Sequence, residues 1–366
     1  MSTLKDVAEH AGVSISTASR VINGKEYVSE ETRQKVAQAI RELDYQPNLI
    51  AQSLVKGRET RQLGLLVYDI SNSYFAEITM AFEAIAYQHD YTVILCNTAE
   101  GTRTLKYLDM FIQRQIDGVA LIGSPLGQEE IRRLQILLQR GVPVVMAREK
   151  GWFANPLADI LGNQSGIVEF DTVEGCRMAI DYLVSRGHRR IGGLFTVERN
   201  CLWDDPRARG FRQALEDNGI EIDDNLIISD LKTSQAGGFL GMGQLLQQSR
   251  DCTAVFAYND VIAIGALAQC REQGIRVPDD LSIVSMDDTE DSLYTNPPLT
   301  SVRIPRREQG EFMAEYLLAR IRGKTPPSCY SLPVYLALRQ SVGNVPSKNV
   351  PTKNIPTKDV LTKNVP

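Results

Sequence analysis

The sequence predicts an α/β protein in which a small helical head precedes a large two-lobed core of parallel sheets. Between residues 62 and 342, short apolar runs alternate with amphipathic helical segments, and this alternation is typical of parallel strands covered by helices. The runs form two series separated near residues 151–166, which favours two sheets of four or five strands over one very wide sheet. Residues 1–47 instead contain short helical patterns and no convincing strand.

The apolar runs of the core predict eight strands, at residues 63–68, 92–96, 118–122, 142–147, 190–195, 225–229, 253–257 and 281–286. Helical patterns separate most of them, at residues 75–89, 128–140, 172–186 and 261–273. Ligands of such sheets bind beyond the carboxyl ends of the strands. The cleft between the two lobes is therefore the expected ligand site.

Composition limits the class of protein. The chain has 366 residues, of which 43% are hydrophobic and 23% charged, the balance of an ordinary globular protein. A net charge of −5 argues against a surface coated in basic charge, although one small nucleic-acid-binding module remains compatible with it. The six cysteines form no CxxC motif or Cys/His cluster, so we expect no structural zinc. The start lacks a signal-peptide pattern and no run has the ~20 apolar residues of a membrane span, so we expect a cytoplasmic protein without a membrane partner.

The first helix of the head is predicted at residues 4–11, where apolar residues fall at i, i+3, i+4 and i+7. Thr3, with Asp6 three residues later, has the pattern of a capping box. Gly12 follows the last apolar position and tolerates the positive φ at which helices often end.

The second helix of the head has two different faces. Ser14 caps it, and its predicted buried face carries Ala18, Val21 and Ile22. A third helix begins after Ser29. Two short helices with a glycine turn and small buried residues are typical of a helix-turn-helix, whose outward polar face can enter the major groove of DNA. An ordinary three-helix bundle with a solvated face remains the alternative at this point.

The charge of the head is unusual for a DNA-binding module. Residues 1–47 contain six Lys or Arg and seven Asp or Glu, a net charge of −1. Because affinity for phosphates grows with the number of cationic contacts, we expect tight binding to need two copies of the head.

Residues 3–24 resemble the head of the lactose/galactose-repressor (LacI/GalR) family of bacterial transcription regulators. Further matches follow in the order of the family, at residues 27–33, 45–48, 51–54, 72–75, 186–192, 259–260, 277–278, 287–288 and 298–300. Each match is short, and their order and spacing carry the resemblance to about residue 343.

The resemblance implies that the second helix reads operator DNA. By match to the family's motif, Ile15 and Ser16 are then the chief base-reading pair. Ile15 cannot donate a hydrogen bond, but it can contact a thymine methyl group. Further base or phosphate contacts are implied for Thr17, Ser19, Arg20 and Asn23; helix capping or turn formation is the alternative for Thr17 and Asn23. In the family, the linker forms a hinge helix with leucines wedged into the minor groove, which implies roles for Leu54 and the nearby Gln52. The pattern alone would make Leu54 a core residue.

The two lobes resemble a periplasmic sugar-binding protein reused as a sensor. The effector contacts this implies are Tyr74, Phe75, Arg148, Arg207, Asn259 and Asp287. Arg, Asn and Asp make paired hydrogen bonds with sugar hydroxyls, and aromatic rings cover apolar sugar faces. A capping or turn role is the alternative for Asp287, and a surface ion pair for Arg207. The segments at residues 199–206 and after Arg148 are longer than usual, so neither Arg199 nor Trp203 is assigned a role.

The predicted organisation has four parts. Residues 1–47 form the helix-turn-helix head, residues 48–61 the hinge helix and linker, and residues 62–343 the ligand-binding and dimerisation core. Lobe 1 takes about residues 62–165 and 304–333, and lobe 2 about residues 166–303 and 334–343. Residues 344–366 repeat a five-residue unit with proline at the third position of all units but one, which predicts a disordered tail. The tail has no leucine heptads, so a homodimer is the expected assembly.

Other classes of protein fit less well. The chain has three histidines and no HExxH, G-x-S-x-G or Walker A sequence, so we expect no enzyme, no cofactor and no bound metal. A solute-binding protein for transport conflicts with the head and with the missing signal peptide. We expect a ligand-responsive, allosteric repressor of a sugar-uptake or catabolic operon that binds double-stranded operator DNA and a small sugar. A purine- or nucleoside-sensing repressor, or an activator of the same fold, is the alternative.

Overall fold

The computed structural model describes residues 2–22, 28–45, 60–99, 103–123, 126–150, 165–249 and 251–345. Two compact units make up the chain, Met1–Thr60 and Arg61–Pro366. The predictions for Asn23, Gln52 and Leu54 and for residues 346–366 lie outside the described residues. The first residues of the predicted tail belong to the core instead: Val345 is buried, and its amide donates to the carbonyl of Arg186 at 3.1 Å.

The head contains three helices: α1 (Leu4–His10), α2 (Ile15–Ile22) and α3 (Glu30–Glu42). The capping box at α1 is confirmed, because the amide of Thr3 donates to Oδ2 of Asp6 at 2.7 Å and the amide of Asp6 donates to Oγ1 of Thr3 at 3.3 Å. Gly12 has a φ of +65° in the turn before α2. Val7, Val36 and Ala39 form the small core that the three helices share.

The second unit is built on two six-stranded sheets. Its strands are β1 (Gln62–Val67), β2 (Thr92–Asn97), β3 (Gly118–Ile122), β4 (Val144–Glu149), β5 (Ser165–Phe170), β6 (Ile191–Leu194), β7 (Ile227–Ile228), β8 (Ala254–Ala257), β9 (Ser282–Asp287), β10 (Thr300–Arg303), β11 (Cys329–Leu332) and β12 (Tyr335–Ala337). Sheet 1 has the order β11-β5-β4-β3-β1-β2 and sheet 2 the order β12-β10-β9-β8-β6-β7. All neighbouring strands run parallel except β12, which pairs antiparallel with β10.

Helices cover both sheets, as expected for parallel strands. They are α4 (Ser73–Gln88), α5 (Arg103–Arg114), α6 (Gln128–Gln139), α7 (Thr172–Ser185), α8 (Pro206–Asp217), α9 (Gln235–Gln248), α10 (Asp260–Glu272), α11 (Glu290–Leu293) and α12 (Arg306–Ile321). Among the described residues, two short 3₁₀ helices occupy Arg199–Asp204 and Asp224–Leu226. The α/β fold with two parallel-sheet lobes agrees with the prediction, but each sheet has six strands where four or five were expected.

The chain passes between the sheets three times. β5 pairs with β4 and β11, so the first crossing follows Phe170 and not residue 165, the lobe boundary that the sequence predicts. The reason is that the segment before β5 separates two strands of the same sheet, not two lobes. The second crossing lies between β10 and α12, and the third between β11 and β12.

A buried carboxylate holds three segments of sheet 2 together. Asp260, at the start of α10, is fully buried. Its oxygens accept hydrogen bonds from the hydroxyls of Ser285 on β9 and Ser301 on β10, at 2.5 and 2.7 Å, and from the amide of Thr289 at 2.6 Å. Burial, and secondarily the charge of Asp287, raise the pKa of Asp260 to about 7.

This shift predicts a pH-dependent stability term. The unfolded carboxyl ionises near pH 4 and the folded one near pH 7, so the folded state binds more protons between these values. The free energy of unfolding of the wild type should therefore fall relative to that of Asp260→Asn as the pH rises from 4 to 7. The change should be a few kcal/mol, at about 1.4 kcal/mol per pKa unit. Urea unfolding of both proteins at several pH values measures it. The exposed Asp217→Asn variant is the control, and a difference between wild type and Asp260→Asn that stays constant with pH would contradict the prediction.

Candidate functional sites

Helix α2 presents the predicted DNA-reading residues on one side. The side chain of Ile15 is 49% exposed, although isoleucine is normally buried, and Ser16 and Arg20 are also exposed. Ala18 on the opposite side is fully buried. Thr17 and Ser19 lie at the edge of the exposed face, half-buried.

The hydroxyl of Ser14 organises the first turn of α2. Its Oγ lies 2.8 Å from Oγ of Ser16 and 2.8 Å from Oγ1 of Thr17, and it accepts the amide of Thr17 at 3.1 Å. The capping alternative for Thr17 therefore has structural support, since its side chain is held at the cap. Ile15 and Arg20 remain outside this hydroxyl cluster.

In the second unit, the main polar cluster surrounds Arg207, in the first turn of α8. Its Nε donates to Oε1 of Glu149 at 3.0 Å, its Nη2 lies 2.9 Å from the same oxygen in an ion pair, and its Nη1 donates to the carbonyl of Tyr258 at 2.9 Å. Nη1 also lies 3.2 Å from Oδ1 of Asp287, and the guanidinium sits 4.7 Å from the centre of the Tyr258 ring. Arg207 is buried, so its ion pairs are not surface ion pairs.

Glu149 brings the two sheets together at this cluster. It ends β4 of sheet 1, whereas Arg207 and Asp287 belong to the elements of sheet 2. Its second oxygen, Oε2, accepts from Oγ1 of Thr172 at 2.9 Å, at the start of α7. Both oxygens of Glu149 are therefore held by groups of the other lobe.

The backbone at Asp287 has an uncommon conformation. Asp287 and Asp288 have φ angles of +104° and +52°, values at which non-glycine residues are strained. The buried guanidinium of Arg306, at the start of α12, donates to the carbonyls of both aspartates and to Oε2 of Glu77, the last at 2.6 Å. Arg306 thus holds the turn that presents the Asp287 side chain.

The aromatic residues beside the cluster are neutral phenols. Burial raises the pKa of Tyr74 and of Tyr258, and Tyr74 packs edge-on against Phe75 with ring centres 5.1 Å apart. The hydroxyl of Tyr258 donates to Oδ2 of Asp205 at 3.0 Å.

Burial also raises the pKa of Asp205 and of Asp287. For Arg207, burial acts to lower the pKa, but the charges of Glu149 and Asp287 more than offset it, so the guanidinium stays charged.

Two predicted effector residues have other partners. Arg148 pairs with Glu169 on β5, at 3.1 Å between Nη2 and Oε2, and the structure does not bring it to Arg207. The cause is strand alternation: successive residues of β4 point to opposite faces, so Glu149 reaches the cluster and Arg148 does not. Asn259 is buried, and its Oδ1 accepts the amide of Ile262 at 3.0 Å, which caps α10.

Sequence reasoning did not identify Glu149, Asp205 and Tyr258. Glu149 stands at the carboxyl end of a predicted strand, and that position was the available signal. Asp205 precedes the Pro206 that opens α8, and its carboxylate caps that helix through the amides of Arg207 and Ala208, at 2.9 and 3.0 Å.

In the described part of the chain, no helix is long and apolar enough to cross a membrane, and no group of three metal-ligating side chains occurs.

Comparison with known proteins reproduces this two-part architecture. The model for bacterial regulatory proteins of the lacI family matches residues 3–48, and the model for a periplasmic binding protein-like domain matches residues 180–342. The HTH-type transcriptional repressor PurR of Vibrio atlanticus (strain LGP32) is 35% identical over 329 residues, covering 88% of this chain and 93% of that protein.

Solved structures give the same result. The lac repressor dimer bound to operator and the anti-inducer ONPF is 27% identical, with a TM-score of 0.78 over 93% of this chain and 99% of that one. The complex of the transcriptional regulator CelR with cellobiose is 30% identical, with a TM-score of 0.66 over 93% and 100%.

These findings define a DNA-binding regulatory protein with a periplasmic-binding-protein-like core. More particularly, the chain belongs to the lacI family of bacterial regulatory proteins. The predictions of fold class and family are confirmed, and membership of a family of regulators also confirms that the chain is not an enzyme.

The Arg207 cluster makes a prediction about stability. Arg207→Met leaves two buried carboxylates without their cation and should lower the free energy of unfolding by about 3–5 kcal/mol. Adding Glu149→Gln should restore part of that loss, because it removes one unpaired charge. Arg148→Met breaks a more exposed pair and should cost less. Urea unfolding of the four proteins tests this, and equal losses for Arg207→Met and Arg148→Met would contradict it.

Proposed function

We propose that this protein is a ligand-responsive repressor of a sugar-uptake or catabolic operon, and that its effector is a small sugar bound at the Arg207 cluster. The observation that carries the proposal is the buried Arg207–Asp287 pair beside Tyr74 and Tyr258. Charged groups that make paired hydrogen bonds, next to aromatic rings, suit vicinal hydroxyls and the apolar faces of a sugar. The solved CelR–cellobiose complex favours a sugar effector.

A purine or nucleoside is the second candidate effector, and the relationship to repressors named PurR favours it. The same buried Arg, Asp and Tyr side chains can hydrogen-bond and stack on a planar base. Of the predicted contacts, Tyr74, Phe75, Arg207 and Asp287 remain in the proposed site. Arg148 enters it only if the ligand displaces Glu169, whereas Asn259, whose Oδ1 caps α10, is proposed to contact the ligand through Nδ2.

The mechanism follows from the position of the cluster. Residues from both sheets meet at Arg207, so the free energy of ligand binding depends on the arrangement of the two lobes. A ligand that binds one arrangement more tightly shifts the population toward it. We propose that this arrangement controls whether two heads, with their hinge segments at residues 48–61, can engage one operator.

Loss of one effector contact should uncouple sensing from DNA binding. Asp287→Asn keeps the size of the side chain and suits the positive φ of this position, but it removes the charge paired with Arg207. We expect operator affinity without ligand to stay within about twofold and ligand affinity to fall about 10- to 150-fold.

A thermal-shift screen of sugars and nucleosides first identifies the ligand, because a ligand at ~100 times its dissociation constant stabilises its site by ~2.7 kcal/mol. Titration of operator release then compares wild type, Asp287→Asn and the surface variant Asp217→Asn. Identical release midpoints for all three proteins would remove Asp287 from the site.

The DNA-reading role is proposed for the exposed face of α2. The side chain of Ile15 is half exposed and lies beside the exposed Ser16 and Arg20. The apolar part of this surface suits thymine methyl groups, and the polar part suits base edges. Thr17, Ser19 and Asn23 are proposed to supply further contacts, and Gln52 and Leu54 to act in the minor groove.

The reading pair should set which operator is chosen. Selection from a random DNA library gives the preferred site of the wild type. Ile15→Ala with Ser16→Ala should lower affinity for that site by about 1–3 kcal/mol per lost base contact and relax the preference at one or two positions of each half-site. The exposed Glu31→Ala variant on α3 is the control. An unchanged base preference in the Ile15/Ser16 variant would show that α2 does not read these bases.

A homodimer is proposed from the exposed apolar side chains of the second unit. Leu240 on α9 is 65% exposed and Tyr294 beside α11 is 79% exposed, and both line one groove with Phe239. Exposed apolar surface of this kind is typical of protein–protein interfaces, and a C2 dimer uses the same patch on both chains.

A charge in this groove should break the dimer. Leu240→Arg should shift sedimentation from dimer to monomer at micromolar concentration, because it places an unpaired charge in a desolvated interface. Leu338→Arg, at an exposed apolar position outside the groove, is the matched control. A wild type that sediments as a monomer, or a Leu240→Arg variant that remains a dimer, would contradict the proposal.

A further inference from the structure

The Arg207 cluster holds more negative than positive charge. Among the described residues, its charged side chains are Arg207, Arg306, Glu77, Glu149, Asp205 and Asp287. Two cations therefore face four carboxylates. The adjacent Asp288 is paired separately, with Arg339 and Arg303.

Both guanidiniums already face carboxylates. Nε of Arg207 donates to Oε1 of Glu149, which also lies 2.9 Å from Nη2, and Nη1 donates to the carbonyl of Tyr258. Arg306 donates to two backbone carbonyls and to Glu77. An anionic ligand would have to displace a buried carboxylate from Arg207. The displaced carboxylate would then lie close to the negative charge of the ligand, and the two would repel each other.

The Asp287 side chain offers the cluster's buried acceptor. Asp287 is 3% exposed, and its Oδ1 accepts no well-aligned hydrogen bond from any residue that the structure describes, although Nη1 of Arg207 lies 3.2 Å away. A buried acceptor without a donor is costly, so a ligand O–H or N–H is the group it would take. Burial already raises the pKa of Asp287 and Asp205, and a further negative charge nearby would disfavour their ionised forms more strongly.

Glu149 occupies the place at Arg207 that a phosphate or carboxylate would need. We infer that the effector is an uncharged donor of hydrogen bonds, a free sugar or base and not its phosphorylated form, and that Glu149 is the residue that excludes anions. This inference rests on the proposed effector site.

The first experiment compares neutral compounds with their phosphates on the wild-type protein. The pairs are glucose with glucose 6-phosphate, ribose with ribose 5-phosphate, cellobiose with cellobiose phosphate, and inosine with inosine monophosphate. Thermal unfolding and calorimetry should show binding by the neutral member of a pair and at least about tenfold weaker binding by its phosphate. A phosphate that binds the wild type as tightly as its neutral partner would overturn the inference and leave the effector role intact.

The second experiment needs no knowledge of the effector. Inorganic phosphate should raise the thermal midpoint of Glu149→Ala, because this substitution frees donors of Arg207 and opens space beside them. It should leave wild type unchanged and should shift Glu169→Ala less than Glu149→Ala, because Arg148 is more exposed than Arg207 and solvent screens its ion pairs more strongly. Glu169 is a matched control, since it is also a strand glutamate paired with arginine and is 14% exposed, against 11% for Glu149. If Glu149→Ala does not fold, Glu149→Gln with Glu169→Gln as control replaces it, and the same midpoint shift is read.

The outcomes separate the two proposals. Equal phosphate responses of the Glu149 and Glu169 variants would show that Glu149 does not exclude anions, whatever the effector is. If no neutral compound or phosphate binds the wild type, the proposed effector fails, while the phosphate titration of the Glu149 variants still decides the role of this side chain.

Discussion

The structure of the second unit depends on one buried cation. Arg207 is held by a carboxylate from sheet 1, and by a carboxylate, a carbonyl and an aromatic ring from sheet 2. Removing a guanidinium and two carboxylates from water costs several kcal/mol per ion. That cost is offset only when the lobes come together closely enough for Glu149 to complete the set. The ion cluster therefore specifies how the two lobes meet more than it stabilises either of them.

A second buried arginine fixes the geometry of this arrangement. Asp287 reaches Arg207 only because the chain turns through two positive φ angles, and Arg306 holds the carbonyls of that turn. Since Arg306 begins α12 of lobe 1 and Asp287 ends β9 of lobe 2, this contact also crosses between the lobes. Ser73 and Asp291 add a third link, with Oγ of Ser73 donating to Oδ2 of Asp291 at 2.8 Å. Side chains, in addition to the three chain crossings, thus connect the lobes.

The sequence predicts the parts of the molecule whose signals are local. Thr3, Asp6 and Gly12 mark the first helix of the head because capping and positive φ depend on a few neighbouring residues. The eight apolar runs all become strands because buried parallel strands are continuously apolar. The runs do not reveal β5, β10, β11 and β12. The few large apolar residues of β5 are interrupted by Gly166 and Glu169, and β10 is rich in Thr and Ser, although both strands are buried. β11 is largely exposed, and β12 lies at a sheet edge. In the cluster, Arg207 and Asp287 follow from the resemblance. Glu149 does not, because its role depends on a partner 58 residues away in sequence.

A ligand would use the same interactions that join the lobes. A small molecule could therefore change the equilibrium between two arrangements of the lobes. Moving a two-state equilibrium from 1:99 to 99:1 requires about 10⁴-fold preferential binding, or about 5.5 kcal/mol. Losing one partner of a buried charge pair costs about 2–5 kcal/mol. A ligand that exchanges hydrogen bonds with Glu149 of one lobe and Arg207 of the other therefore acts on interactions that approach this size. Ligands that touch only one lobe lack this differential affinity, however tightly they bind. The sensing site must for this reason include groups from both lobes, and the Glu149–Arg207–Asp287 cluster meets that requirement.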